Sequence, residues 1–185
     1  EFDWSGKLTL VRVNPYTSGE LEADLEAIVP ARPSAVLLGK CEGPEDVRYA
    51  DRFIGWVERR ARIEAGTVRI AAMIERARAF ETIEQLARAS HRMMALYIGP
   101  SDLGNQLGYR RTYRGPEPET WWPRARVAIA AHAAGLLAID SPYVPYRDSA
   151  GTAEQARFSY RLGFDIKSCI SPKQIPIVNE AFSPS

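Results

Sequence analysis

The stretch "MMALYIGPSDLGNQLG", residues 93–108, joins an apolar run to a turn-forming Gly-Pro-Ser-Asp sequence. The run is short, apolar throughout and ends abruptly at Gly99, which is typical of a strand that is buried on both faces. An acidic residue, Asp102, follows the end of this strand, and Gly104 comes soon after it. The pattern fits either a simple turn or a ligand held at the end of a strand.

Similar short apolar runs alternate with helical patterns along the rest of the chain. The predicted strands cover residues 8–13, 34–39, 67–75, 93–99, 136–140 and 166–170. The predicted helices cover residues 20–29, a segment from Pro44, residues 79–89, 121–135 and 152–163, and part of 172–182, which Pro176 interrupts. Alternation of strands and helices predicts an α/β fold in which helices cover a parallel sheet.

Two parallel architectures fit this order, an open doubly wound sheet and a β/α barrel. No G-x-G-x-x-G sequence follows the first strand, so a dinucleotide site has little support. A complete (β/α)8 barrel usually needs about 250 residues. The chain has 185 residues and about six βα units. We therefore predict a TIM (β/α)8 barrel that is incomplete in this chain, with residues 1–185 forming one partial barrel domain.

Composition excludes several classes of protein. Hydrophobic residues make up 45% of the chain and charged residues 25%, as in soluble globular proteins, and the net charge of +1 gives no sign of nucleic-acid binding. No apolar run approaches the roughly 20 residues of a membrane helix. Cys41 and Cys169 are the only cysteines and end apolar runs, so we expect buried thiols and a cytoplasmic protein. With only two histidines, His91 and His132, a histidine zinc site has no support.

Polar residues follow the carboxyl end of every predicted strand, where β/α barrels carry their chemistry. In chain order they are Arg12 and Asn14, Lys40 and Glu42, Glu75 and Arg76, Asp102, Asp140, and Ser168 and Ser171. One such residue means little, but a series at the same end of successive strands predicts a functional site there.

Glu75 and Asp102 form the best candidate pair. They follow consecutive strands, and neighbouring strands lie about 4.8 Å apart. Mg²⁺ usually takes one or two carboxylates together with waters and substrate oxygens, so the pair predicts a magnesium site. Gly99 and Gly104 would let the backbone approach the ligand closely. The alternative for Asp102 is a helix N-cap after a Pro-Ser turn.

Two cationic residues also have alternative interpretations. The guanidinium of Arg12 is suited to clamp a substrate carboxylate, and its alternative is an internal salt bridge to Glu42. Lys40 could form a Schiff base if its pKa were depressed, and its alternative is a paired structural charge.

Two loop segments are equally ambiguous from the sequence. Asp140 begins "DSPYVPYRD" and either orders this loop or takes part in catalysis. Arg110, Arg111 and Arg114 alternate with aromatic residues, which fits phosphate binding or a solvated loop.

Six motifs, in order, resemble the citrate lyase β-subunit-like branch of the HpcH/HpaI aldolase superfamily. They are "VRVN" (11–14), "GKCEGPEDV" (39–47), "IERARAF" (74–80), "IGPSDLGNQLG" (98–108), "GLLAIDSPYVPYRD" (135–148) and "GFDIKSCISPKQIPIVNEAFSP" (163–184). The resemblance covers nearly the whole chain. It implies a TIM barrel that forms homotrimers or homohexamers, with no nucleic-acid or membrane partner. It also implies Mg²⁺-dependent cleavage or formation of C–C bonds next to a carboxylate, often on a coenzyme A thioester.

The same resemblance assigns roles to individual residues. Glu75 and Asp102 would be the metal ligands, and Arg12 would hold the keto-acid portion of the substrate. Gly99, Pro100 and Ser101 complete the predicted substrate-binding set. The predicted catalytic residues are therefore Arg12, Glu75 and Asp102, and the general base is not identified.

The chain also departs from the family pattern. It has Gly39, Arg76 and Ser171 where the family often has Pro, Thr and His, and its "GPSD" resembles small-substrate aldolases. Family chains have a βα segment before this stretch and a covering segment after it, so we expect the stretch to derive from a longer, homo-oligomeric protein. The alternative functions are a Schiff-base aldolase that uses Lys40, and a catalytically silent homologue or fragment that binds ligand or partner chains without turnover.

Overall fold

The computed structural model describes residues 6–183, in which strands and helices alternate as predicted. The fold divides into two compact units, one ending at Ala95 and the other beginning at Leu96. The prediction of an α/β fold is thereby confirmed, while closure into a barrel and the single-domain interpretation stay predictions.

The first unit contains three helices and the strands β1 to β3, and β4 begins at its end. In chain order these elements are β1 (Leu10–Val13), α1 (Leu21–Ile28), β2 (Ala35–Leu38), α2 (Pro44–Arg60), β3 (Arg69–Ile74), α3 (Ile83–Ala87) and β4 (Met93–Ile98). The strands β1 and β2 pair in parallel, as do β2 and β3. All of β2 and all of β3 after Arg69 are buried, as expected for strands that are covered on both faces.

The register of these strands places two of the predicted site residues on one face. Arg12 lies opposite Leu37, and Leu37 lies opposite Ala71. Glu75 follows Ala71 by four residues, and side chains two apart along a strand point to the same side. Arg12 and Glu75 therefore face the same side of the sheet.

Up to Ser183, the second unit contains the end of β4, four α-helices and two further strands. In chain order these elements are α4 (Pro100–Leu107), α5 (Trp121–Ala133), β5 (Leu137–Asp140), α6 (Ser149–Arg161), β6 (Ile166–Lys167) and α7 (Ile175–Phe182). The strands β5 and β6 pair in parallel, with Asp140 opposite Lys167.

Several element predictions were wrong in extent. Residues 79–89 form a 3₁₀ turn, Ala77–Glu81, and the short α3, instead of one helix. The sixth strand has only two residues. Pro176 does not interrupt α7, because it occupies the first helical turn, where a missing N–H costs no hydrogen bond. The helix α4 was not predicted, because the glycines that flank it, Gly99 and Gly108, are typical of turns.

A buried ion pair anchors α2 to the start of β4. Arg92 donates from Nη1 to Glu58 Oε1 at 2.9 Å and from Nη2 to Glu58 Oε2 at 2.6 Å, and its Nε donates to Asp51 at 2.6 Å. The side chain of Glu58 is 0% exposed and that of Arg92 is 4% exposed. Burial raises the pKa of Glu58, but the hydrogen bonds from Arg92, Val68 and Gly66 outweigh it and leave the pKa below its ordinary value.

Both cysteines are free thiols, Cys41 buried and Cys169 partly exposed. Full burial of the second thiol was therefore wrongly predicted. None of the helices within residues 6–183 is long and apolar enough to cross a membrane.

Candidate functional site

Arg12 and Glu75 meet at the carboxyl end of the first unit's strands. Arg12 Nη2 lies 3.7 Å from Glu75 Oε1. The carboxylate is almost fully buried, whereas the side chain of Arg12 is 55% exposed. The alternative prediction, a salt bridge from Arg12 to Glu42, is wrong in its partner. Glu42 Oε2 instead lies 3.8 Å from Arg78 Nη1. An exposed guanidinium beside a buried carboxylate leaves a cationic group accessible to an anionic ligand.

The backbone after β2 fixes the orientation of the Glu75 carboxylate. Lys40 donates its backbone N–H to Glu75 Oε1 at 2.9 Å. Lys40 adopts a φ of 51°, in the left-handed region that costs a non-glycine residue energy. Gly39 precedes it, and the Arg12 guanidinium lies against this glycine. The Gly39–Lys40 turn thus holds Glu75 and lies against Arg12.

Asp102 lies in the second unit, in the first turn of α4, and is half-buried. The alternative prediction that Asp102 is the N-cap is wrong. Pro100 takes the first helical position, so Gly99 is the N-cap and Asp102 is the third residue of the helix. An acidic side chain in the first turn is stabilised by the helix dipole, and it remains a candidate ligand.

The glycine in α4 has a different role from the predicted one. Gly104 is buried, and a Cβ at this position would lie 2.8 Å from Cε2 of Tyr109. The hydroxyl of Tyr109 also donates to the carbonyl oxygen of Pro100 at 3.0 Å. Gly104 therefore allows the Tyr109 ring to pack on α4, rather than backbone to approach a ligand.

The basic run after α4 is only partly a solvated loop. Arg110 and Arg114 are exposed, but the side chain of Arg111 is 4% exposed and forms a fork with Glu117. Its Nε donates to Glu117 Oε1 at 3.0 Å and its Nη2 to Oε2 at 2.7 Å, while Nη1 donates to Ser101 Oγ at 2.7 Å. The solvated-loop interpretation was wrong for Arg111, whose ion pair reaches into the protein.

Asp140 is a fully buried carboxylate in a network of polar side chains. Lys167 donates from Nζ to Asp140 Oδ2 at 2.7 Å, to the Ser141 carbonyl oxygen at 2.6 Å and to Gln155 Oε1 at 2.7 Å. Arg124 Nε lies 3.3 Å from Asp140 Oδ1. Burial raises the pKa of Asp140, but the charges of Lys167 and Arg124 bring it below its ordinary value. Asp140 Oδ1 also accepts the backbone N–H of Ser141, the first residue of the following loop, at 2.8 Å, in line with the loop-ordering alternative.

For Lys167, the cation of this network, burial affects the pKa more than the neighbouring charges do. It lowers the pKa of Lys167 to about 8, although Asp140 opposes the shift. Because this pKa lies below that of an exposed lysine, the unfolded chain binds more protons than the folded one above pH 8. Lys167 therefore destabilises the protein most at or below neutral pH, and this cost is relieved as the pH rises.

We predict that the free energy of unfolding of the wild type rises relative to that of Lys167→Met between about pH 8 and pH 10. The expected gain is at most about 1.4 kcal/mol per pH unit. Urea titrations of both proteins at pH 7.5, 8.5 and 9.5 measure it. A difference between the two proteins that stays constant over this range would show that Lys167 does not titrate there.

The donor chemistry suits a hard cation rather than a soft one. Glu75 and Asp102 offer carboxylate oxygens, which Mg²⁺ prefers. Within residues 6–183, no group of three or more His, Cys, Asp or Glu side chains is arranged to hold a metal ion. A magnesium ion bound at Glu75 or at Asp102 would therefore draw most of its shell from waters and substrate. Burial raises the pKa of Cys41, so its thiol has little nucleophilic or metal-binding character.

The predicted site residues thus fall into two groups. Arg12 and Glu75 are brought together in the first unit, with Gly39 and Lys40 between them. In the second unit, Gly99, Pro100, Ser101 and Asp102 form the start of α4. Two residues that depart from the family pattern, Arg76 and Ser171, begin 3₁₀ turns as N-caps.

Sequence reasoning missed Tyr109 and the inward role of Arg111. The only available signal was the alternation of arginine and tyrosine in "YRRTYR" (109–114), which does not reveal which side chains point inward.

The chain resembles lyases over its whole length. It is 34% identical over 178 residues to citrate lyase subunit beta of Haemophilus influenzae. It is 31% identical over 199 residues to the mitochondrial citramalyl-CoA lyase of Mus musculus. These alignments cover 96% and 100% of this chain, but 60% and 57% of the two relatives, so the chain spans less than two thirds of their length.

Solved structures give the same match in three dimensions. RipC from Yersinia pestis superposes with a TM-score of 0.83 at 24% identity, covering 95% of this chain and 77% of that one. The CitE protein of Mycobacterium tuberculosis, in complex with magnesium and acetoacetate, superposes with a TM-score of 0.80 at 27% identity, covering 100% of this chain and 71% of that one.

The fold and these alignments point to the citrate lyase-like class of proteins. The sequence profile of the HpcH/HpaI aldolase/citrate lyase family matches residues 3–172. The chain belongs to the HpcH/HpaI aldolase/citrate lyase family, as its motifs indicated.

Proposed function

We propose that this chain carries the metal and keto-acid site of a Mg²⁺-dependent carbon–carbon lyase of the aldol or Claisen type. The contact between Arg12 and Glu75 carries the proposal, because it joins an accessible guanidinium to an oriented carboxylate at the strand ends. In β/α barrels, active sites lie at that end of the strands.

Each residue has a defined task in this proposal. Arg12 binds the substrate carboxylate with its planar guanidinium, which matches a carboxylate in two-point fashion. Glu75 and Asp102 hold the metal through their carboxylates. The N–H of Lys40 keeps Glu75 in a single orientation, so that the ligand does not have to be reordered when metal binds.

Cleavage moves one proton and one pair of bonding electrons. The substrate hydroxyl loses its proton and becomes a carbonyl, the C–C bond breaks, and the leaving carbon keeps the electron pair as an enolate that is then protonated. Arg12 stabilises negative charge on the carboxylate product, and Mg²⁺, when bound, supplies Lewis-acid stabilisation of the substrate oxygens. The base that removes the hydroxyl proton is left unassigned.

The proposed substrate is a hydroxy- or keto-acid, either free or as its coenzyme A thioester. Relatives are named citrate lyase subunit beta, citramalyl-CoA lyase and L-malyl-CoA/β-methylmalyl-CoA lyase, and a CitE structure contains magnesium, acetoacetate and coenzyme A. These names support the substrate class and leave open the acyl group. We further propose that residues 1–185 form one partial barrel domain. The protein would be a cytoplasmic homotrimer or homohexamer.

Cleavage of L-malyl-CoA and of citramalyl-CoA, with and without EDTA, tests the proposal. We expect thioester products together with a keto acid, and loss of turnover when the metal is chelated. EDTA-resistant turnover that is lost on borohydride treatment with substrate would instead support a Schiff base on Lys40. Binding of Mg²⁺ and oxalate without turnover of any such substrate would support the silent homologue.

Arg12→Lys is expected to weaken oxalate and pyruvate binding about tenfold, while the affinity for Mg²⁺ changes little. Lysine keeps the charge but loses the planar fork, which is worth about one charged hydrogen bond. Isothermal titration with Mg²⁺ alone and then with oxalate measures both quantities.

The matched control is Arg60→Lys, which alters another exposed arginine that pairs with a single carboxylate, Glu26, at 3.1 Å. This control should bind oxalate as the wild type does. Equal oxalate affinity in the wild type and in Arg12→Lys would reject the carboxylate clamp.

A further inference from the structure

The loop that follows α4 lies against the first turn of that helix. We call residues 109–117 the strap, since the loop contacts the turn at two separate points. Tyr109 Oη donates to the Pro100 carbonyl oxygen at 3.0 Å, and Arg111 Nη1 donates to Ser101 Oγ at 2.7 Å. These contacts fall on the residues that directly precede Asp102.

The strap is anchored on its other side by a buried carboxylate. The side chain of Glu117 is 0% exposed, and its Oε2 accepts hydrogen bonds from Arg111 at 2.7 Å, Arg124 at 3.2 Å and Gln155 at 2.8 Å. Arg111 therefore uses two of its donor groups inward and keeps Nη1 for Ser101. The position of the Ser101 hydroxyl is thereby linked to the buried network of the second unit.

The backbone of the strap is held in an uncommon conformation. Glu117 has a φ of 52° and Tyr113 a φ of 53°, both in the left-handed region that non-glycine residues rarely adopt. Residues remain in such conformations only where their surroundings impose them. The fork on Glu117 and the hydrogen bond from Tyr143 Oη to the Tyr113 carbonyl oxygen at 3.2 Å are such constraints. The strap is therefore a preorganised element rather than a flexible loop.

Neither contact serves the packing of the core alone. Ser101 is exposed, so its hydroxyl could bond to water instead of Arg111. The Tyr109 ring already packs on Gly104 without the help of its hydroxyl. Both polar contacts instead restrict the backbone and side chain of the turn that is proposed to bind substrate and metal.

We propose that Tyr109 and Arg111 are positioning residues that hold the Pro100–Asp102 turn in its ligand-binding conformation. This inference rests on the proposed function. Because neither residue is assigned to bind the substrate or metal, their effect on ligand affinity would act through the turn. Preorganisation of this kind raises affinity because less order has to be imposed when the ligand binds.

Two conservative variants test the strap. Tyr109→Phe removes only the hydroxyl and keeps the ring on Gly104, and Arg111→Lys keeps the charge beside Glu117 but loses the fork. We expect the dissociation constant of oxalate, measured by calorimetry in saturating Mg²⁺, to rise about threefold to tenfold in Tyr109→Phe and about tenfold or more in Arg111→Lys. Tyr160→Phe and Arg157→Lys alter exposed residues on α6 and should bind oxalate as the wild type does.

Hydrogen exchange of the ligand-free proteins gives an independent readout of the same turn. We expect the amides of Leu103 and Gly104, the first in α4 that can bond to a carbonyl one turn back, to exchange faster in both strap variants, while the amides of α6 keep their wild-type rates. A general loss of stability would instead accelerate exchange throughout the second unit.

The outcomes separate this inference from the proposed function. If the wild type binds Mg²⁺ and oxalate, and both strap variants bind oxalate equally well with unchanged exchange at Leu103 and Gly104, the strap has no positioning role. A folded wild type that binds neither Mg²⁺ nor oxalate would overturn the proposed function and, with it, the ligand role of the strap.

Discussion

Glu75→Gln is expected to lower kcat/KM about a thousandfold and to weaken Mg²⁺ binding, while the protein stays folded. The size follows from the several kcal/mol of charge stabilisation that a metal ion supplies, at about 1.4 kcal/mol per tenfold in rate. Glutamine has nearly the same shape and keeps an oxygen that can accept the hydrogen bond from the Lys40 N–H. It loses the negative charge, which is what a hard divalent cation requires. Calorimetric titration with Mg²⁺ and a cleavage assay measure the two effects.

Two further variants make this result specific. Glu81→Gln removes a charge from an exposed residue in the 3₁₀ turn after β3 and should leave Mg²⁺ affinity unchanged. Asp102→Asn should reproduce the effect of Glu75→Gln, because each would remove one of the two proposed carboxylate ligands. If neither Glu75→Gln nor Asp102→Asn changes the affinity for Mg²⁺, the pair is not the metal site.

The parts of the fold that could be predicted from sequence are those set by local pattern. Most of the strands are apolar runs that end at or near a polar residue, so their existence and their carboxyl ends were visible, and the two-residue β6 is the exception. Pro44 marked the start of α2, because its fixed φ suits the first turn. The sequence could therefore assign Arg12 and Glu75 to the carboxyl ends of their strands without coordinates.

The parts that could not be predicted depend on contacts between distant residues. The helix α4 contains Gly104, and a glycine within a sequence usually indicates the end of a helix. Here the glycine makes room for the ring of Tyr109. Arg12 and Glu75 belong to strands that are not neighbours, so spacing between consecutive strands could not pair them. They meet because Arg12 pairs with Leu37 of β2 and Leu37 pairs with Ala71 of β3, so that Arg12 and Ala71 lie on the same face of the sheet.

Buried charges were the least predictable feature. In "YRRTYR" (109–114) the almost fully buried Arg111 lies beside the exposed Arg110 and Arg114, and in "SHRMM" (90–94) the one arginine, Arg92, is also almost fully buried. Composition cannot separate them, because what decides burial is a carboxylate elsewhere in the chain. For Arg92 that carboxylate is Glu58, which lies 34 residues away in the sequence.

Arg92→Met is expected to lower the free energy of unfolding by about 3–5 kcal/mol, the usual cost of breaking a buried ion pair on one side. Methionine fills much of the arginine volume but donates no hydrogen bond. Glu58 would keep its bonds from Gly66 and Val68 at 3.0 Å each, but lose both donors of the guanidinium fork. Urea denaturation, followed by the fluorescence of Trp56 in the first unit, measures this loss.

Two comparisons separate a buried charge effect from the simple removal of an arginine. Arg60→Met breaks an exposed pair with Glu26 and should cost at most about 1 kcal/mol, because water solvates the partner that remains. In Arg92→Met, the added change Glu58→Gln removes the uncompensated buried charge and should restore part of the lost stability. The loss should also grow less severe in acid, since Glu58 can then be neutralised by protonation in the variant, whereas its lowered pKa keeps it ionised in the wild type. Equal destabilisation by Arg92→Met and Arg60→Met would mean that the Arg92–Glu58 fork contributes no more than a surface pair.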